Sequence, residues 1–403
     1  MTSVRTGLDQ LVAENFRRLR GLRVGLVAHP ASVDAELRHA ADLLGAAPGV
    51  SLEAVFGPEH GWLGQAQDLE PVREESGKRE GGKAETRRPR VISLYGETAA
   101  SLRPTAEQLR DLDVLVIDLQ DIGARYYTFQ ATMLYCLEAA QAIGLRVIIL
   151  DRPNPIGGVA VEGPKLNQGF ESFVGPYDIA TRHGLTLGEL ARFYQTAKKL
   201  DQAPVEIVAC EGWRRPMYFE ATGLPWVLPS PNMPTVETAV VYPGQCLVEG
   251  TNLSEGRGTT RPFELCGAPW LESATLARRF NAEALPGIVF RPAWLQPTFQ
   301  KHAGKPCGAA QMHVTDRRVF QPVRTSLMML AVMRELSGPH FRWRTETYEF
   351  VSNPIAIDLL FGSDRERLAL EAGHHWREIA DAWLLDETAF EELRAPFLIY
   401  PTD

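Results

Sequence analysis

Cysteine is scarce in this chain. The five thiols among 403 residues (Cys136, Cys210, Cys246, Cys266 and Cys307) are odd in number and include no C-x-x-C pair. That argues against a disulfide framework or a structural zinc site and leaves five reduced, mostly buried side chains as the expectation. No H-E-x-x-H occurs, and the adjacent His374-His375 is weak support for a metal. Also absent are G-x-x-x-x-G-K-[ST], a G-x-G-x-x-G after a strand, and a G-x-S-x-G elbow. These absences speak against a phosphate loop, a dinucleotide cofactor and a serine hydrolase, so we expect no cofactor and no metal. Basic charge is in deficit, with 42 Lys and Arg against 50 Asp and Glu and a net charge of -8. A general nucleic-acid partner is therefore not expected. No stretch approaches the ~20 apolar residues of a membrane helix, and the first residues carry no apolar core of a secretion signal. The expectation is a cytoplasmic protein without a membrane partner.

What is present is ordinary globular material, 45% hydrophobic and 23% charged, with length enough for two domains. Through the first half, apolar runs at 23–28, 51–56, 91–94, 114–118 and 147–150 alternate with helical patterns at 34–44, from 104 to 109, and over 127–143. This order predicts an α/β fold with a parallel sheet covered by helices on both faces. Thr186-Leu-Gly-Glu189 matches a capping box and marks a further helix start. The charged stretch 65–90 lacks periodicity and reads as a solvated loop, with a lid over the site as a second reading. Pro229-Ser-Pro-Asn-Met-Pro234 blocks both helix and ladder, so the domain junction is placed there, giving domains at 1–235 and 236–403. Helices near 271–284, over 325–336 and beyond 363, with a strand at 311–315, make the second part a smaller α+β unit.

In open α/β sheets ligands bind at the carboxyl ends of the strands, and three polar clusters fall there. Gly57-Pro-Glu-His-Gly61 holds Glu59 beside His60 and Trp62, where desolvation would make a carboxyl usable as a general acid. A glutamate bound to the amides of its own loop is the alternative. Asp118-Leu-Gln-Asp121, with Gln120 and Arg125, offers carboxylates to orient water or steady a cation-like sugar, or else an Asp–Arg pair that pins the loop. Tyr127 either stacks on a ring or enters the core. Asp151-Arg-Pro-Asn-Pro155 supplies Asp151, Arg152 and Asn154 in a stiff loop, suited equally to ligand positioning or a structural bridge. His183 is a candidate ligand contact. In the second half, Glu249-Gly-Thr-Asn-Leu-Ser-Glu-Gly-Arg-Gly-Thr-Thr260 brings three glycines whose amides can face a ligand, and Arg257 can clamp a carboxylate bidentately.

Taken in order, these motifs, with Ser93-Leu-Tyr-Gly96, Arg125-Tyr-Tyr-Thr128 and the 229–234 segment, resemble the exo-β-N-acetylmuramidase family, once a bacterial domain of unknown function. The resemblance runs from about Gly7 to Tyr400. It implies a Rossmann-like first domain, a smaller second one, and a site between them that releases N-acetylmuramic acid from a non-reducing end. By this match Glu59 becomes the general acid, with Asp118, Asp121 or a nearby tyrosine as the second group. The expected substrate contacts are His60, Gln120, Arg125, Tyr127, Asp151, Arg152, Asn154, His183, Asn232, Glu249, Asn252, Glu255 and Arg257. The lactyl carboxylate of the sugar calls for a fixed cation, and Arg257 is preferred over Arg125 and Arg152. The partner is a small carbohydrate, a muramyl sugar or muropeptide. His29 stands where an asparagine-centred turn is expected, and the 65–90 loop is more charged than relatives suggest. The rivals are a non-catalytic muropeptide binder on the same scaffold and an oxidoreductase, which the missing glycine fingerprint disfavours.

Overall fold

The computed structural model describes residues 4–72 and 89–403. The middle of the 65–90 stretch, and with it the lid reading, lies outside the described residues. Six strands form the main sheet: β1 (Arg23–Ala28), β2 (Ser51–Gly57), β3 (Arg90–Ser93), β4 (Val114–Asp118), β5 (Arg146–Leu150) and β6 (Val205–Val208). Their order is β3-β2-β1-β4-β5-β6, and every pairing is parallel. Progression along the chain reverses between β1 and β4, so the crevice at that switch point opens at the carboxyl ends.

The side chains explain the layering. Alternate residues of a strand leave opposite faces. Leu26, Val114 and Val116 pack with Leu8 and Leu11 of the helix Gly7–Ala13 and with Leu44 of the helix Ala40–Ala46. Val27, Leu115 and Ile117 enter the larger core with the helix Phe129–Ile143. At Gly25 a Cβ would meet Leu112 Cδ1 at 2.5 Å, so glycine lets the strand sit under its neighbours.

The second part carries a three-stranded antiparallel sheet, β7 (Leu265–Ala268), β8 (Ile288–Leu295) and β9 (Cys307–Val314), in the order β7-β9-β8. With its helices it is the smaller α+β unit expected. The large apolar core runs without a break from the parallel sheet into the helix Pro322–Ser337. That helix lies close on the helix Val236–Gln245, where a Cβ on Gly244 would fall 1.9 Å from the Pro322 carbonyl oxygen. The chain end returns to the first sheet: the Tyr400 hydroxyl donates to Asp151 Oδ2 at 2.5 Å. Among the described residues no helix is long and apolar enough to cross a membrane.

The helix expected over 34–44 is confined to Ala40–Ala46. Asp34 Oδ1 accepts from the amides of Glu36 and Arg38 at 3.1 and 2.8 Å, and Leu37 turns left-handed at φ 64. These local bonds compete with the helix ladder, which starts instead behind His39. The capping box forms as read, with Thr186 and Glu189 satisfying each other's amides. β6, β7 and β8 were not anticipated. Pro292 interrupts the β8 pattern and is tolerated because β8 is an edge strand.

Candidate active site

At the carboxyl end of β2 the chain must reverse sharply. A Cβ on Gly57 would sit 2.5 Å from the Trp62 amide, so only glycine lets the loop fold back there. His60 and Gly61 follow with φ 71 and φ 80, and the Gly61 amide donates to the Pro58 carbonyl at 2.9 Å. This turn holds Glu59 in the wall of a cleft of about 500 Å³, its open mouth included. Glu59 is buried, and its Oε2 accepts from the Thr128 hydroxyl at 2.6 Å. His60 Nδ1 lies 2.9 Å from the Ala66 carbonyl, which can only accept. Nδ1 therefore carries a proton and donates it to that carbonyl.

The opposite wall comes from the second part. Glu249 closes the short turn Cys246–Gly250, and Arg257 sits between two left-handed glycines, Gly256 and Gly258. Arg257 Nη1 donates to Glu249 Oε1 at 2.5 Å and reaches Glu255 Oε1 at 3.5 Å. Its Nε lies 3.3 Å from Asp68 without forming a hydrogen bond. Lys301 anchors Glu255 from behind at 2.9 Å. Burial opposes the Arg257 charge, but Glu249, Asp68 and Glu255 outweigh it and push the guanidinium pKa well above its ordinary value. The Tyr348 hydroxyl donates to Glu249 Oε2 at 2.8 Å, and the Tyr95 hydroxyl donates to Glu349 Oε2 at 2.9 Å. Burial drives the Glu349 pKa well above the carboxyl range, and the charges of Glu59, Glu249 and Asp68 add to the effect. Tyr127 also lines the cleft. Its buried hydroxyl has Ser230 beside it but makes no hydrogen bond.

Of the residues singled out from sequence, Glu59, His60, Tyr127, Asn232, Glu249 and Arg257 meet at this cleft, and Glu255 supports Arg257 from behind. The others are placed elsewhere. Asp118 is fully buried and bound to Arg152 by two bonds of 2.5 and 2.9 Å, so the pair pins the β4 loop. Asp121 accepts from the Gly123 amide at 2.7 Å and faces His183 Nε2 at 3.4 Å, both sealed from solvent. His183 Nδ1 accepts from the Leu185 amide, so its proton points at Asp121. Gln120 is spent on the carbonyls of Asp121 and Pro153. Arg125 donates to the carbonyls of Pro164, Ile179 and Leu360, and burial lowers its pKa to about 10. Asp151 takes hydrogen bonds from Thr186, Gly188, Arg152 and Tyr400, and burial pushes its pKa to about 6. Asn154 and Asn252 donate to the carbonyls of Leu185 and His340, 31 and 88 residues away, and so tie distant loops together. None of these nine, Asp118, Asp121, Gln120, Arg125, Asp151, Arg152, Asn154, His183 and Asn252, lines this cleft; Gln120 and Arg152 line a separate pocket.

The sequence reading missed Asp68, which stood in a stretch taken for solvated loop, and Glu349, which stands in no motif. His29 bridges the rim: its Nδ1 donates to the Pro229 carbonyl at 3.2 Å and its Nε2 accepts from the Gln120 amide at 2.9 Å. Burial holds its pKa well down, so it ties three loops together as a neutral ring. Among the described residues no group of three or more His, Cys, Asp or Glu is placed to hold a metal ion.

An open parallel sheet whose strand-end crevice is walled by a second unit, with acids and one clamped guanidinium facing inward, defines an α/β protein that handles small polar molecules. The chain belongs to the exo-β-N-acetylmuramidase NamZ family: the model of the family's N-terminal part matches residues 24–237 and that of its C-terminal part residues 240–400. It is 42% identical over 397 residues, 98% of this chain and 91% of the other, to the peptidoglycan β-N-acetylmuramidase NamZ of Bacillus subtilis (strain 168). Two solved DUF1343 family proteins of Bacteroides fragilis NCTC 9343 share the fold. One superposes with a TM-score of 0.86 at 33% identity over 99% of this chain and 100% of its own. The other gives 0.75 at 26% identity over the whole of both chains.

Proposed function

We propose that this chain is an exo-acting β-N-acetylmuramidase that hydrolyses the β-1,4 bond at the non-reducing end of peptidoglycan fragments and releases N-acetylmuramic acid. One observation carries the reading: in a member of this family, Glu59 from the first part of the chain and Arg257 from the second line a single cleft. Glu59 protonates the leaving oxygen as the glycosidic bond breaks, and the sugar passes through a cation-like state that a wall of carboxylates favours. Arg257, already oriented by three protein acids, meets the lactyl carboxylate. The parts 1–235 and 236–403 act as two domains that close the pocket at one end, as release of a terminal unit requires. A cytoplasmic location, on recovered fragments, is supported by five buried cysteines that are all unpaired. Net negative charge supports a carbohydrate rather than a nucleic-acid partner.

The test is release of chromophore from a β-N-acetylmuramide by wild type and Glu59→Gln. General-acid loss should slow turnover by about a thousandfold. Equal rates would remove Glu59 from the role, and binding without turnover by wild type would leave a muropeptide binder.

A further inference from the structure

Glycoside hydrolysis commonly uses two carboxyl groups, and the cleft wall offers three beyond Glu59: Asp68, Glu249 and Glu349. Asp68 and Glu249 both face the Arg257 guanidinium. Glu349 has no cationic partner among the described residues; it accepts from the Tyr95 hydroxyl alone. Its backbone is left-handed at φ 46, and Phe350 follows at φ 66. Two such non-glycine residues in succession are strained. The turn is nonetheless fixed on every side. Tyr348 and Val351 exchange both backbone hydrogen bonds at 2.9 Å, Tyr348 is tied to Glu249, and Phe350 packs edge-on against Tyr95 at 5.6 Å. Strain held this firmly serves to aim a side chain. A second observation points to a ligand at the same place: Arg257 Nε, buried in the cleft wall, makes no hydrogen bond among the described residues.

We propose that Glu349 is the second catalytic carboxyl, and that with Glu59, which lines the same cleft, it passes one proton out and takes one back in each turnover. This rests on the glycosidase reading above. The protonated member gives its proton to the leaving oxygen as the bond from the anomeric carbon breaks. Water adds to that carbon and returns a proton to the pair, which ends the cycle as it began. The groups facing Glu349 from neighbouring elements are Glu59, Asp68, Glu249 and Tyr95. Three are acids, and together with burial they favour the protonated form of Glu349.

The experiment compares wild type, Glu59→Gln, Glu349→Gln and the double variant on a chromogenic β-N-acetylmuramide from pH 4 to 9, with thermal unfolding of each. Glu349→Gln should lower kcat by about a thousandfold with little change in KM or Tm, and the double variant should fall no more than about tenfold below either single one, as groups acting as a unit do. A folded Glu349→Gln protein that keeps more than a tenth of wild-type kcat overturns the pairing, as does a double variant whose losses multiply. Should Glu349→Gln fail to fold, Tyr95→Phe decides. Loss of the donated hydrogen bond should move one limb of the kcat/KM profile to higher pH, and an unmoved profile overturns the proposal. Wild type without turnover would instead sink the glycosidase reading itself.

Discussion

At the end of β4, Asp118 meets Arg152 in a two-bond pair sealed from water; at the end of β2, Glu59 accepts, among the described residues, from a threonine hydroxyl alone. The same strand-end position thus carries two opposite electrostatic arrangements. Around Asp118 the charges cancel, and most neighbouring polar groups, those of Asp151, Arg125 and Asn154 among them, are spent on backbone or on one another. In and behind the cleft, the five carboxyls of Glu59, Asp68, Glu249, Glu255 and Glu349 face the cations of Arg257 and Lys301. Buried charge is costly unless paired, so an uncompensated surplus is kept only where something else uses it. Polarity at a strand end is therefore a poor guide to function, and imbalance is a better one.

The largest expected effect is on the balanced side. Asp118→Asn leaves the Arg152 guanidinium buried without its counter-charge, and we expect unfolding free energy to fall by about 3–5 kcal/mol. Urea titration measures this. Turnover per folded molecule should stay within about threefold of wild type, because Asp118 does not reach the cleft. A hundredfold loss of kcat at undiminished stability would place Asp118 among the reacting groups and erase the contrast.

A smaller effect is expected at the cation of the cleft. Arg257→Lys keeps the charge but loses the planar guanidinium whose Nη1 binds Glu249 and reaches Glu255 while Nε faces Asp68. KM for an N-acetylmuramide should rise about ten- to a hundredfold, equivalent to about 1.4–2.7 kcal/mol. The rise should be absent for any residual turnover of an N-acetylglucosaminide, which has no lactyl carboxylate. Equal rises for both substrates would show that Arg257 shapes the pocket without reading the acid.

The balanced side was the more legible one, and for that reason the more misleading. Strands such as Val114–Asp118 are continuous apolar runs, so their places and the polar loops behind them could be read from sequence. Local sequence does not reveal that Asp118 and Arg152 cancel, because their pairing joins loops 34 residues apart. Glu59 could be found because its glycine–proline turn is a local necessity. Glu349 could not: its position depends on Tyr95, 254 residues distant, and on a turn whose left-handed residues are glutamate and phenylalanine rather than glycine. The 34–44 helix failed for a related reason, since Asp34 spends its side chain on its own backbone.

Glu162 gives the smallest test and the sharpest one, since it is a weakly compensated buried acid away from the cleft, with Arg324 Nη1 at 3.9 Å. Its Oε1 accepts from the Arg324 amide at 2.8 Å, while Oε2 is buried without a partner. Arg324 is turned to Glu387, with bonds of 2.6 and 2.9 Å. Burial pushes the Glu162 pKa to about 7. The folded state thus binds this proton more tightly than the unfolded chain, whose carboxyl titrates near 4.3. Its contribution to stability is complete below that lower value and is lost as pH rises through about 7. Glu162→Gln should remove this loss, making the variant more stable than wild type by about 1 kcal/mol at pH 8 and no more stable at pH 4, with kcat unchanged. Chemical denaturation at the two pH values measures the difference. A variant equally stable at both, relative to wild type, would mean that a weakly compensated carboxyl costs this fold nothing, and the surplus in the cleft would lose its claim to be kept for chemistry.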